Sequence, residues 1–166
     1  MTGTLICRYC ACNEDFVRVW GGGTCARTCG PIARHKYIGT PPLPEPLGDR
    51  EGHAIRIAQV SCLATAGPLS GGIFTNYLIY EMDKANGVLL SGGGVVRKPG
   101  GTVVFQLGEG KLAPIITDGK VTGVTGTGSG RYVMAVGNSS SLAGKSFTYS
   151  SKPAGPGQFE INVTRE

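Results

Sequence analysis

The stretch Val121–Gly137, "VTGVTGTGSGRYVMAVG", decides how the chain is read. It repeats threonine and glycine, then turns apolar. A phosphate-cradling loop needs Gly-x-x-x-x-Gly-Lys-Ser/Thr between a strand and a helix. Here Arg131-Tyr132 follows the last glycine, and what comes next is strand-like. Gly126, Gly128 and Gly130 also miss the Gly-x-Gly-x-x-Gly spacing of dinucleotide binders. The stretch therefore reads as strand, tight glycine corner, strand. Its glycines would supply positive φ and let backbones approach closely. Tyr132 is expected to plug one end of the fold or to pack under the corner.

Outward from this stretch the same pattern recurs. "HAIRIAQVSCLAT" (His53–Thr65), "IFTNYLIYEM" (Ile73–Met82) and "VLLSGGGVV" (from Val88) read as strands. "TVVFQL" follows, then two strands around Asp118-Gly119, then "RYVMAVG", "GKSFTYSS" and "GQFEINVTRE". Turns are expected at Gly71-Gly72, Asn86-Gly87, Gly100-Gly101 and Asp118-Gly119. Short strands in regular succession with no helical period argue for an all-β antiparallel barrel or sandwich.

Composition sets the limits. The chain has 166 residues, enough for one domain with a core of its own. Its 28 glycines show no collagen-like period. The net charge is +5, but the basic residues are scattered along the chain. That favours solubility over nucleic-acid binding. No apolar run reaches membrane-span length, so no membrane partner is expected. The start, "MTGTLICRYCACNEDF", turns polar too soon for a secretory leader. The chain as given is expected in the cytoplasm, unless a targeting segment was removed. Asn138-Ser-Ser and Asn162-Val-Thr are glycan acceptors only in a secreted chain.

Two parts are expected. Residues 1–48 are an irregular Cys/Pro-rich extension holding five of the six cysteines, and residues 49–166 are the β domain. The cluster "TPPLPEP" (Thr40–Pro46) resists helix and central strand alike, and reads as a linker or a strap. Cys7-x2-Cys10 and Cys25-x3-Cys29, with Cys12 to spare, suit zinc, disulfides or free thiols, and these alternatives stay open.

Thr122–Gly137 resembles the Gly-Thr-Gly-x-Tyr/Phe-x-x-Ala-x-Gly signature of dirigent proteins and allene oxide cyclase-like barrels. "GDREGHAIRIAQVSC" (Gly48–Cys62) is similar to the first barrel strand of that group. "GGIFTNYLIYEMDKANGVLLSGG" is similar to its second and third strands and their hairpin. Val124 replaces the first glycine of the usual Gly-Gly-Thr-Gly run, and the cysteine-rich front has no counterpart. The resemblance implies an eight-stranded antiparallel β-barrel with an apolar cavity, assembled as a homo-oligomer. It also implies chemistry that constrains a reactive intermediate, by cyclisation or stereoselective coupling, without metal or organic cofactor. It carries over no catalytic residue, because the matching positions are architectural.

Candidates for chemistry come from the residues themselves. Alternation along His53–Thr65 puts Arg56 on one face with Ala54, Ala58, Val60 and Cys62, as in a cavity wall. A buried charge needs a carboxylate or a substrate anion as partner. Glu81 is one possible partner, and an ordinary surface pair is the plainer alternative. Tyr77 and Tyr80 are proton donors or apolar wall. The parity of Ile73–Met82 is not settled, because both faces are half apolar. The catalytic candidates are Arg56, Tyr77 and Glu81; His35 and His53 are expected in solvent. There is no Gly-x-Ser-x-Gly elbow. Two function classes follow. One is an isomerase, cyclase or dirigent-type guide for an apolar small molecule, in secondary metabolism. The other is a non-catalytic ligand carrier or assembly barrel. An open cavity of a few hundred cubic ångströms supports the first, a packed interior the second.

Overall fold

The computed structural model describes residues 2–9, 43–155 and 158–165. Its strands are β1 (Thr2–Tyr9), β2 (Glu45–Pro46), β3 (His53–Ala64), β4 (Ile73–Asp83) and β5 (Asn86–Lys98). β6 (Gly101–Thr117), β7 (Lys120–Gly137), β8 (Ser146–Gly155) and β9 (Gln158–Arg165) complete them. A single 3-10 turn, Ser140–Leu142, is the only helical element among the described residues. The all-β expectation holds.

All strands belong to one antiparallel sheet, in the order β1-β9-β8-β7-β6-β5-β4-β3-β2. β1 pairs with β9 on one side, and its residues Leu5–Tyr9 also pair with Val60–Ala64 of β3. The sheet thus includes residues 2–9, from the part of the chain expected to be irregular. The rest of that part up to residue 42, with Cys10, Cys12, Cys25, Cys29 and His35, lies outside the described residues. From the proline cluster, Glu45 and Pro46 pair with Ile55 and Ala54 as a short edge strand. That is a position where a proline without an N–H is tolerated.

The glycine corner expected at Gly126–Gly130 does not exist. β7 runs unbroken from Lys120 to Gly137 and pairs with β6 over nearly its whole length. None of Gly126, Gly128 and Gly130 has positive φ. The turn that reverses the chain is Asp118-Gly119, where both residues have positive φ, 51° and 75°. That is the backbone a two-residue hairpin turn requires. The β4–β5 turn also differs from expectation. Asn86 and Gly87 already lie in β5, and the reversal is at Lys84-Ala85, with Lys84 at φ 56°.

One face of the sheet carries the core. Val96, Val103, Phe105, Tyr132, Leu142 and Phe147 are buried in one cluster toward the strand ends nearest the 3-10 turn. Ala54, Tyr80, Met82 and Leu89 form a second cluster toward the opposite ends. Tyr132 stacks on Phe147 with ring centroids 4.7 Å apart, and Phe105 meets Phe147 edge-on. Such aromatic pairs add to the burial of their apolar area. Tyr132 packs where the aromatic plug was expected, but against a neighbouring strand and not under a corner.

Candidate functional site

Alternation settles which side chains face the core. On β3 the buried positions of one parity are Ala54, Ala58, Val60, Cys62 and Ala64, and Arg56 shares that parity. On β4 they are Phe74, Tyr80 and Met82, with Asn76 and Leu78 half-buried between them. The register pairs Arg56 with Tyr80 and Ile55 with Glu81. Tyr77 and Glu81 therefore point to the face opposite Arg56, since successive strand residues alternate.

A cavity of about 440 Å³ opens on the core face. Phe74, Leu78, Phe105, Phe147, Phe159 and Ile161 give it apolar walls. Arg56 is the one charged side chain in its lining among the described residues. Asn76, Tyr80 and Tyr149 add polar groups. Thr122, Gly123 and Val124 of the β6–β7 hairpin meet Pro153, Gly155 and Gln158 of the β8–β9 hairpin along one side of it.

The glycines of β7 make room for two of the rings that wall the cavity. Gly126, Gly128 and Gly130 pair with Ser151, Tyr149 and Phe147. A Cβ on Gly128 would lie 2.5 Å from the Tyr149 hydroxyl, and one on Gly110 would meet the same atom. A Cβ on Gly130 would lie 2.5 Å from the Phe147 ring. The aromatic rings of β8 thus lie across side-chain-free backbone. Burial raises the Tyr149 phenol above its usual pKa, and the nearby Tyr80 hydroxyl offsets part of that. The Tyr149 oxygen is buried, and the Tyr80 hydroxyl is the polar group that acts on it. Asn76 Oδ1 is buried without a partner. Buried polar atoms are rarely left so.

The three sequence candidates do not converge. Arg56 lines the cavity. Tyr77 is 46% exposed on the outer face. Glu81 accepts from His53, with Nε2 to Oε1 at 2.8 Å, and lies 3.8 Å from Arg50. His53 is buried, against the expectation that it is solvated. Its Nδ1 sits 2.6 Å from Asp49 Oδ1. Hydrogen bonds to Asp49 and then to Glu81 raise the His53 pKa, and the bond to His53 lowers that of Asp49. This cluster ties Asp49 and Arg50, on the segment before β3, to β4. Asn76 and Tyr149 were missed from sequence. Their signal was the alternating set Phe147, Tyr149, Ser151, and a polar residue between Phe74 and Leu78.

Among the described residues no group of His, Cys, Asp or Glu has metal-site geometry. Cys62 is disulfide-bonded, and its Cα partner across the β1–β3 ladder is Cys7. No described helix is long and apolar enough to cross a membrane. Comparison with known proteins finds no matching family model, no similar curated protein and no similar solved structure.

Proposed function

We propose that the sheet works as an eight-stranded barrel, closed by β1 between β9 and β3, and that its cavity holds an apolar small molecule in one conformation. The observation that carries this reading is the cavity itself: about 440 Å³, apolar walls, and one charged residue among its described lining. Small-molecule sites have this make-up, with mostly apolar walls and a few placed polar groups. Arg56 would orient a carboxylate or carbonyl oxygen, and the aromatic walls would exclude water. A chain held near its attack geometry reacts faster because its entropy is spent on binding. Isomerisation or ring closure conserves all atoms, so no co-reactant is required. This is the activity of an isomerase or a cyclase; a dirigent-type guide, also in the class that the resemblance implies, would instead hold intermediates that an outside one-electron oxidant has already made. Membership of that group, and its homo-oligomeric assembly, are proposed on the same footing.

A second reading, carriage without catalysis, is favoured by the lining. Its described residues include no carboxylate and no imidazole to move a proton. The test is calorimetric titration with small apolar acids and polyenes, followed by analysis of the recovered ligand. One-site binding with a rearranged product supports the guide. One-site binding with the ligand unchanged supports the carrier. No binding by any member of the series removes both.

A further inference from the structure

We propose that the end of the sheet bearing the 3-10 turn docks on an anionic lipid surface. The topology sorts the acidic residues, whereas the described basic ones divide between the two ends: Arg50, Arg56, Lys84, Lys111, Lys120 and Lys152 share the acidic end. All eight acidic side chains among the described residues, from Glu45 to Glu160, lie toward the opposite end of the strands. Arg97, Lys98, Arg131, Lys145 and Arg165 lie toward the 3-10 end, which holds no described acid. Glu166, next to Arg165, is outside the described residues. Arg97, Arg131 and Lys145 are exposed. None of the five basic residues makes an ion pair among the described residues. Lys98 donates to the Pro68 carbonyl, which holds its ammonium at the rim.

The outer face beside these charges is apolar. Register places Leu63, Ile73, Arg97, Thr102 and Val136 in one row across β3 to β7. Leu63, Ile73 and Val136 are each about half exposed, at 50%, 49% and 52%, and Met134 in the next row is 59% exposed. A second copy of this face is a poor partner, because Arg97 and Arg131 would meet like charges with no described carboxylate to pair. Apolar side chains set among unpaired cations match an anionic bilayer instead. The cations meet lipid headgroups and the apolar groups enter the interface. Each basic residue near such a surface adds to the attraction. No membrane-crossing element is needed for this contact.

The test is co-sedimentation of the full chain with two vesicle preparations, pure phosphatidylcholine and phosphatidylcholine with phosphatidylserine. Binding is expected only to the phosphatidylserine vesicles, weakening as salt rises. The double variant Arg97→Glu/Arg131→Glu should lose at least about tenfold in partition coefficient, as two reversed charges imply. Lys120→Glu, at the opposite end, should change it little. Circular dichroism melts check that each variant is folded. Should the double variant unfold, Lys145→Glu, in the loop before β8, replaces it with the same expected direction. Three results overturn the proposal: no binding to phosphatidylserine vesicles at low salt, equal loss with Lys120→Glu, or retention on heparin without vesicle binding. The last would assign the basic end to a soluble polyanion.

Discussion

Gly128 has no side chain because Tyr149 occupies the place of one. Any Cβ there meets the Tyr149 ring and the Glu109 carbonyl. Gly128→Val should therefore cost about 1–3 kcal/mol by overpacking, and not through backbone strain. Urea denaturation measures this, and Tyr149→Ala in the same chain should recover part of the loss. Additive losses in the double variant would contradict the contact. Glycine is legible in sequence as a signal, but its two uses are not distinguishable there. A glycine for positive φ and a glycine for space look alike until the facing residue is known. Arg56 was legible because β3 is unusually plain: five small or β-branched residues share its parity. Arg56→Met should keep the melting temperature close to that of the parent or raise it, since a half-buried charge is costly to maintain. Affinity for an apolar acid should fall about tenfold or more, the worth of one charge-assisted hydrogen bond. Full affinity in that variant would remove Arg56 from the site.

At the scale of elements, strand existence was readable and strand length was not. Glycine and proline within "LGEGKLAP" and "TGTGSG" look like breaks, yet β6 and β7 absorb them through bulges at Leu107/Glu109 and Ile115/Ile116. The resulting hairpin extends past its neighbours. β5 pairs with β6 only as far as Leu112, and β8 pairs with β7 only from Gly126. Amides from residues 113 to 125 should exchange with deuterium faster than those of β3 and β4, because only the hairpin protects them. Equal protection would mean that the arm is covered. The segment before β3 makes a different prediction. The His53 pKa is raised, so its contribution to stability is complete below about 6.5 and fades as pH rises through the raised value. The Asp49 pKa is lowered, so its contribution holds above about 3.8 and is lost as pH falls through the lowered value. The clamp is strongest between these limits. The melting temperature of the parent should fall between pH 5 and 8 more steeply than that of His53→Gln. Parallel slopes would dismiss the clamp. The sequence could not show this cluster, since Asp49, His53 and Glu81 meet only through the β3–β4 register.

For the whole molecule, the all-β class was legible in strand spacing, whereas the distribution of charge was not. Up-and-down strands carry residues far apart in sequence to the same end, so the described acidic residues gather at one end and leave the basic ones at the other without them. The cavity was equally hidden, because its lining comes from residues far apart in sequence that meet only through the strand order and register. It also carries the functional account, and the most direct test is where a ligand sits. Nuclear Overhauser contacts should be recorded between a bound apolar acid and the protein's aromatic side chains. The expected result is contacts to Phe74, Phe105 and Phe147, which line the cavity, and none to Tyr77 on the outer face. Contacts to Tyr77 alone, or saturable binding with no contact to the three phenylalanines, would contradict it.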